Sequence, residues 1–432
     1  MAFDDAAVIR ETEAEAPANL HAVLQLCAAG RLRCGETTRR PSAATVTAVT
    51  SALAEGDFYD GEAIAAYAWP LLLQTGGLAE LTAGKLRLTT RGHTALGRPP
   101  AETIKDLWRR WISGGLIDEF SRVEAIKGQR GKNVLTAEKP RRQKVATALT
   151  RCCEPGEWLT VDDLFAQMRA ERLDPVIARS SRALWKLYLV DPEYGSLGYA
   201  GYADWPILEG RYTLAVLFEY AATLGLIDVT YVRPDGARRD YHRNWGSGAL
   251  SRLSRYDGLK AIRLTTLGAY ATGRTRTYKA PAAPAEHLLK VLPNFDIVVT
   301  GTLPPVDRLT LTAYAKQTSD HVWTLSARSL RDALGTGRSL DHLRTFLHDR
   351  CGHPLPGTVA TLLTDVDHKA RQVRDRGLVH LIEAADPATA VLIANDRKAG
   401  ALCQLLGDRH LWVAPENEEA FRKAAKTLGY IL

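Results

Sequence analysis

The sequence predicts an α+β fold that is mainly α-helical, and three observations support this prediction. One twelve-residue segment occurs twice, apolar residues recur at helical spacing through much of the chain, and the segments with strand character are short. The chain has 432 residues, of which 46% are hydrophobic and 24% charged. This length predicts two to four domains, and this composition is sufficient to build hydrophobic cores.

The repeated segment defines the predicted structural unit. Its first copy, RLTTRGHTALGR, spans Arg87–Arg98, and its second, RLTTLGAYATGR, spans Arg263–Arg274, with eight of twelve letters identical. A Gly-Leu pair precedes each copy, at Gly77 and at Gly225. We interpret each copy as helix, short strand, turn, short strand and a helix opening at Thr-Thr-x-Gly. That order is typical of a winged helix, and the sequence predicts two winged-helix-like domains in tandem.

The first predicted domain covers residues 19–112 and follows a tail. Residues 1–18 are acidic and are predicted to be disordered. Apolar residues at helical spacing predict helices within 19–56 and 62–80. Ser42 is the predicted N-cap of the second helix in the former range.

A hairpin and two further helices complete the first domain. Residues 78–88 are predicted to form two short strands around Ala83-Gly84, and Thr89 is predicted to cap the helix that follows. The apolar spacing within 101–112 predicts an amphipathic helix.

A basic connecting segment is predicted over residues 113–156. Between Ser121 and Arg151 it contains nine Lys and Arg residues against two Glu, an excess equal to the net charge of +7. We predict nucleic-acid contacts from Arg130, Lys132, Lys139, Arg141 and Arg142. The alternative interpretation is a flexible charged linker between domains.

The second predicted domain covers residues 157–278 and has an expanded wing. A long insertion, Tyr231–Gly258, separates its two strands; we call it the wing insertion. Clustered arginines interleaved with aromatic residues are the expected footprint of a nucleic-acid contact. The predicted contacts are Arg238, Arg239, Tyr241, Arg243, Trp245, Arg252 and Arg255. The alternative is a solvated loop whose arginines pair with the local carboxylates Asp235, Asp240 and Asp257.

Residues 279–285 are rich in Pro and Ala and are predicted to form a linker before a C-terminal domain, 286–432. Within that domain we predict the following elements: a strand at Leu289–Val299, an amphipathic helix through Leu309 and Tyr314, helices at Ser326–Leu334, Ser339–Asp349 and 355–370, a hairpin at 371–384, and an α/β tail.

Five short motifs of the C-terminal domain resemble a known family. They are LKVLPNFDIVV (Leu289–Val299), LPP (Leu303–Pro305), SLRDAL (Ser329–Leu334), HPLP (His353–Pro356) and LGYIL (Leu428–Leu432). This part of the chain resembles the α+β helicase-associated domain shared by XPB/Ssl2-type DNA helicases and bacterial helicase-associated domain proteins. The resemblance implies a fold and an accessory role, and it carries no catalytic residues.

The sequence contains no recognisable motor or other catalytic motif. A phosphate-binding loop has the form G-x-x-x-x-G-K-[ST], whereas the closest segment, Gly128–Lys132, has the wrong glycine spacing and continues with Asn133. His342, His348, Cys351 and His353 lack the spacing of a metal site. We therefore predict no enzymatic activity, no cofactor and no metal, and six reduced cysteines.

These observations predict a DNA-binding accessory subunit. We expect contacts mainly to the backbone of duplex DNA, and a separate helicase, translocase or nuclease as partner. The resemblance suggests a setting in DNA repair or phage defence. Because the sequence has neither a secretory signal nor a membrane-length apolar stretch, we expect a cytoplasmic protein with no membrane contact. The alternative function is a protein–protein scaffold that uses winged helices as docking modules.

Overall fold

The computed structural model of the chain describes residues 7–201, 204–280, 287–372 and 378–431. Helices account for 45% of the structure and strands for 16%, which confirms an α+β fold in which helix predominates. The chain divides into two compact units, Met1–Val366 and Asp367–Leu432.

The first unit contains most of the helices. They are α1 (Thr12–Ala28), α2 (Ala43–Thr50), α3 (Ala65–Thr75), α4 (Thr90–Ala95), α5 (Pro100–Ser113), α6 (Glu138–Arg151), α7 (Val161–Ala170), α8 (Ser181–Leu184), α9 (Arg211–Ala215), α10 (Thr266–Ala271), α11 (Pro305–Tyr314), α12 (Ala327–Gly335), α13 (Leu340–Arg350) and α14 (Gly357–Gln372), within which the boundary of the units falls. Two π-helical segments, Pro206–Gly210 and Val216–Ala222, flank α9 and make one continuous helix with it.

Three antiparallel sheets belong to the first unit. Their strands are β1 (Val8–Arg10), β2 (Ala79–Thr82), β3 (Lys85–Leu88), β4 (Trp158–Thr160), β5 (Ile227–Tyr231), β6 (Leu259–Leu264), β7 (Leu289–Val291), β8 (Asp296–Val299), β9 (Ala315–Ser319) and β10 (Val322–Leu325). The strand orders are β1-β5-β6-β4, β2-β3 and β7-β8-β10-β9.

The predicted hairpin and caps of the first repeat are confirmed. Ala83 and Gly84 have φ values of 49° and 73°, the two positive values that a type I′ turn requires, and join β2 to β3. The Ser42 side chain accepts from the N–H of Thr45 at the start of α2, and Thr89 caps α4.

Both copies of the repeat have the same hydrogen-bonded junction. The Thr89 hydroxyl donates to the carbonyl of Gly77 at 2.7 Å, and the Thr265 hydroxyl donates to the carbonyl of Gly225 at 2.7 Å. Both glycines have positive φ, as expected where a helix ends and a strand begins. The predicted unit of helix, strand, strand and helix is present in both copies. Its winged-helix interpretation stays a prediction.

The glycine inside each repeat is required by close packing of backbone on backbone. A Cβ at Gly92 would lie 2.1 Å from the carbonyl oxygen of Leu78, and a Cβ at Gly268 would lie 2.0 Å from that of Leu226. Real Cβ atoms do not approach an oxygen so closely. The repeated letters therefore maintain the junction between the first strand and the last helix of each unit.

The N-terminal tail prediction is wrong from residue 7 onward. Strand β1 pairs antiparallel with β5, with Val8 opposite Tyr231, and α1 begins at Thr12. The Thr12 hydroxyl donates to the carbonyl of Ile227 at 2.6 Å. Residues Val8–Arg10 are thereby part of the sheet of the second repeat. Residues 1–6 of the predicted tail lie outside the described residues.

The two repeats and the segment between them share one hydrophobic core, which contains buried residues from Ala16 to Ala271 and also Val306 of α11. The segment predicted to connect two domains contains α6, whose Val145 and Leu149 are buried in this core. The side chain of Trp111 in the first half stacks on Tyr220 at 4.4 Å between ring centroids. A linker interpretation of this segment is therefore wrong.

The predicted C-terminal elements are partly confirmed. Leu289–Val299 is a hairpin of β7 and β8 rather than one strand, because Phe295, at φ 73°, reverses the chain. The predicted helices at Ser326 and Ser339 are present as α12 and α13, each with its serine as N-cap. α14 confirms the helix predicted at 355–370.

The second unit is a small α+β arrangement. It contains α15 (Pro387–Asn395), α16 (Glu418–Thr427), β11 (His380–Glu383), β12 (Cys403–Leu406) and β13 (His410–Val413), and its antiparallel sheet has the order β11-β13-β12. The described residues of the range 371–384 do not form the predicted hairpin. Residues 371–372 are the end of α14, and β11 pairs with β13 instead of with a strand before it. Residues 373–377 lie outside the described residues.

Glu209 makes the stability of the first unit depend on pH. Burial raises the pKa of its carboxyl group to about 7, whereas an unfolded Glu titrates near about 4.3. At a pH between these two pKa values, the Glu209 carboxyl group is ionised in the unfolded chain and still protonated in the folded one. The free energy of unfolding therefore falls as pH rises through this window, and the lost stability is not regained at higher pH. Glu209→Gln keeps an oxygen for the N–H of Ile177, 3.1 Å away, and removes the ionisation.

We expect Glu209→Gln to raise Tm by several degrees at about pH 8 and to leave it unchanged at about pH 4, measured by scanning calorimetry. An equal change of Tm at both pH values would show that the carboxyl group does not ionise differently in the two states.

Candidate nucleic-acid interface

Arg141 and Arg142, which we predicted to contact phosphate, are buried in the core of the first unit. Each has only 1% of its surface exposed. Arg141 donates to Asp118 at 2.7 Å, and Arg142 donates to Glu119 at 2.8 Å. A buried guanidinium needs such a partner because an unpaired buried charge is strongly destabilising. Neither side chain can reach a phosphate from this position, so the prediction that Arg141 and Arg142 contact phosphate is wrong.

Arg238 and Tyr241 of the wing insertion also pack inward. Arg238 donates to Asp162 at 3.0 Å, lies 5.4 Å from the ring centroid of Phe165, and has a mostly buried side chain. Tyr241 is fully buried, and its hydroxyl donates to the carbonyl of Leu250 at 3.0 Å. Tyr241 is therefore unavailable to stack on a base, which corrects that prediction, and Arg238 has a structural partner already.

Arg252 and Arg255, at the end of the wing insertion, are held by carboxylates of the first half of the chain. Arg252 forms an ion pair with Glu62, and Arg255 donates to Glu124 at 2.8 Å. The alternative interpretation, pairing with local carboxylates, is realised in two 3.8 Å contacts among the described residues, one between Arg252 and Asp235 and one between Arg238 and Asp240.

The sequence did not predict the role of Arg211, which anchors the wing insertion from the buried central helix. Its guanidinium donates two hydrogen bonds to Asp240, at 2.6 and 2.7 Å, and two to Asp257, at 3.1 and 3.2 Å. Asp257 is fully buried and also accepts from the N–H of Leu253 at 2.9 Å. Because arginine is usually exposed, a buried arginine within an apolar run gives little signal in a sequence.

The remaining predicted contacts are exposed. In the wing insertion these are Arg239, Arg243 and Trp245, and in the basic segment they are Arg130, Lys132 and Lys139. Within the described ranges, none of the five cations forms a salt bridge with a carboxylate. These side chains are therefore accessible to a ligand from solvent.

A basic cleft lies between the loop at residues 127–131 and a hairpin at residues 185–199. The N–H of Lys127 donates to the carbonyl of Tyr188 at 2.8 Å, which joins loop and hairpin. Gly128, at φ 80°, lies so close to the hairpin that a Cβ would be 1.8 Å from the carbonyl oxygen of Lys186. The cleft has a volume of about 1040 Å³, and its walls include Arg40, Lys127, Arg130, Trp185, Lys186 and Tyr188.

Two carboxylates also line the basic cleft, and each is neutralised by an arginine. Asp118 accepts from Arg141, and Glu124 accepts from Arg255. The cations that line the cleft therefore keep a net positive charge in it. Arg141 and Arg255 thus neutralise these acids and are not themselves free cations of the cleft.

Among the described residues, four aromatic side chains on or beside this hairpin are more than half exposed; we call them the exposed aromatic surface. They are Trp185 (51%), Tyr194 (55%), Trp245 (58%) and Tyr199 (63%). Trp185, Tyr194 and Tyr199 lie in a part of the chain, residues 157–230, where apolar runs favour helix in the sequence. The turn-forming residues Asp191, Pro192, Gly195 and Gly198 were the available signal that this segment is not a buried helix.

Arg239 lies in a different cleft from Arg130. A cleft of about 420 Å³ is formed by the α7 side chains Asp162, Phe165 and Arg169 together with Arg239 and Lys260. The two basic patches predicted from the sequence therefore line separate clefts. The wing insertion still reaches the hairpin of the basic cleft, because Trp245 contacts Tyr194 at 5.3 Å between ring centroids and a Cβ at Gly246 would lie 3.5 Å from Val190.

His342 takes part in packing. It stacks on His21 of α1 at 4.6 Å between ring centroids, and burial lowers the pKa of His21 to about 3. Over the described ranges, no three His, Cys, Asp or Glu side chains are grouped so that they could hold a metal ion. All six cysteines are free.

No protein-family model matches the chain, and no curated protein matches it. In the part of the chain that the structure describes, no helix is both long and apolar enough to span a membrane.

Proposed function

We propose that this protein binds duplex DNA through the sugar-phosphate backbone, as a non-catalytic accessory subunit of a separate motor or nuclease. The observation that supports the proposal is the state of Arg239 and Arg243. Both are exposed, neither is paired with a carboxylate in the described residues, and both lie on an insertion that Arg211 ties to the core. Cations held on a rigid support can neutralise phosphates with little loss of entropy on binding.

The accessory role rests on the resemblance of the C-terminal motifs to the helicase-associated domain. Local geometry is consistent with the lack of a motor, because the Gly128–Lys132 loop does not lead into a helix N-terminus. α6 begins only at Glu138. Phosphate-binding loops depend on that direct transition from loop to helix. A setting in DNA repair or phage defence follows from the same resemblance.

The double variant Arg239→Glu/Arg243→Glu tests the proposal. We expect weaker binding to a labelled duplex of about 20 base pairs, and a slope of log K against log salt that is smaller by about 2, since each neutralised phosphate contributes about 0.9. Fluorescence anisotropy over a salt series measures both quantities.

Arg397→Glu/Lys398→Glu is the matched control. These two neighbouring cations are exposed, lie in the second unit, and undergo the same change of charge. The control should bind duplex with the wild-type slope. If both variants lose the same affinity, binding follows net charge alone and the wing insertion is not the contact.

A scaffold function is the second candidate, and the second unit favours it. One face of its sheet presents Leu381, Leu406 and Trp412, with the two leucines more than half exposed. Apolar side chains grouped on an open sheet face are typical of protein-binding surfaces. Absence of duplex binding at every salt concentration would favour this candidate over the first.

A further inference from the structure

We propose that the basic cleft and the exposed aromatic surface bind an unpaired nucleic-acid strand, with bases stacked on the aromatic rings and phosphates held by the cleft cations. The inference rests on the proposed function in that it assumes a nucleic-acid ligand. It differs in the part of the ligand that is recognised, because the exposed cations of the wing insertion contact a duplex backbone, whereas this second site takes bases that are not paired.

The hairpin at residues 185–199 is a fixed support. The N–H of Leu197 donates to the carbonyl of Leu187 at 2.8 Å, and the N–H of Leu189 donates to the carbonyl of Gly195 at 3.1 Å. The hydroxyl of Ser196 donates to the carbonyl of Trp185 at 3.1 Å. The aromatic residues that this hairpin carries are therefore held in place before any ligand arrives, which lowers the entropic cost of binding.

The aromatic residues form two pairs at the two ends of the hairpin. Trp185 and Tyr199 meet at the open end, with ring centroids 4.8 Å apart and planes at 70°. Tyr194 at the turn end meets Trp245 of the wing insertion at 5.3 Å. The wall of the basic cleft runs between these ends, from Trp185 to Pro192. A strand that follows the cleft would pass one aromatic pair and then the other.

The charges select a polyanion over an apolar protein partner. Lys127, Arg130 and Lys186 line the cleft, and the lining acids Asp118 and Glu124 are already paired with arginines. An apolar protein surface placed here would bury the unpaired charges of Arg130 and Lys186, which is costly. A phosphate chain satisfies them.

The aromatic rings select an unpaired strand over a duplex. Base stacking on protein side chains needs a free base face, and the bases of an intact duplex stack only on one another except at its ends. Stacking tolerates any base because each base has a π face, so the site is expected to have little sequence preference.

The test compares Trp185→Ala/Tyr194→Ala with Trp185→Phe/Tyr194→Phe in the full chain. The probes are labelled oligothymidine and oligouridine of about 20 nucleotides, a length that exceeds one single-strand site, and a duplex of equal length. We expect the alanine variant to lose affinity for at least one of the single strands by about tenfold per aromatic residue and to keep the wild-type affinity for duplex. The phenylalanine variant should retain single-strand binding, because it keeps a ring at each position.

A second variant, Arg130→Glu/Lys186→Glu, changes only exposed side chains and should also weaken single-strand binding. The DNA and RNA probes identify which strand the site prefers. Wild-type single-strand affinity in both the alanine and the charge-reversal variants would overturn the inference. Equal losses of affinity for single strand and duplex would also overturn it. Absence of single-strand binding by the wild-type protein would overturn it too and would leave a protein partner as the occupant of the cleft. The proposed function fails separately, through duplex binding that is insensitive to Arg239→Glu/Arg243→Glu.

Discussion

Arg211→Met is expected to lower the free energy of unfolding by about 3–5 kcal/mol and to weaken duplex binding. The guanidinium is fully buried and is hydrogen-bonded to both Asp240 and Asp257. Removing it leaves the buried carboxylate of Asp257 without its cation, at a position that fixes the end of the wing insertion. Asp240 loses both of its hydrogen bonds from Arg211 at the same time and keeps only a 3.8 Å contact with Arg238, so Arg239 and Arg243 lose their support.

Urea denaturation gives the stability change, and anisotropy with a duplex gives the change in binding. The variant Arg211→Met/Asp257→Asn is the control, since it removes the buried charge along with its partner. It should be less destabilised than the sum of its two single variants, because the two charges interact directly. If Arg211→Met unfolds within about 1 kcal/mol of the wild type, the ion-pair network does not hold the wing insertion.

Gly92→Ala is expected to destabilise the first unit by about 3 kcal/mol, the upper part of the range for an overpacked position. Its Cβ would lie 2.1 Å from the carbonyl oxygen of Leu78, which also accepts the N–H of Thr89 at 3.0 Å. The backbone must therefore shift, and this junction hydrogen bond must weaken.

Gly97→Ala, within the same repeat, is the matched control for Gly92→Ala. Nothing lies within 4 Å of a Cβ at Gly97, and its φ is not in the left-handed region. This variant should be neutral or more stable by up to about 1 kcal/mol, because alanine restricts the unfolded chain. Equal stability of the two variants in urea denaturation would contradict the packing explanation of the repeat.

Local signals predicted the elements of the first unit well. The caps at Ser42 and Thr89 and the turn at Ala83-Gly84 depend on residues a few positions apart, and all three are present. The helix–strand–strand–helix unit was also predictable, because both copies keep the threonine and glycine that form its junction.

Tertiary contacts decided what the sequence did not predict. Arg141 and Arg142 look like a basic patch, and their burial depends on Asp118 and Glu119, more than twenty residues earlier in the chain. The strand at Val8 exists only because β5, over two hundred residues later, offers it an edge. In the predicted interface, the exposure of the remaining cations could be expected from the sequence, because charged side chains usually lie at the protein surface. The aromatic hairpin was missed because its exposure depends on packing against the 127–131 loop.

The salt dependence of duplex binding by the wild-type protein tests the central claim most directly. Anisotropy titrations from about 50 to 200 mM salt should give a linear fall of log K against log salt. The slope should be about −2 or steeper, since about −2 is the value for two phosphates neutralised by Arg239 and Arg243. A duplex affinity that is the same across this range, or no measurable affinity even at the lowest salt concentration, would contradict the account.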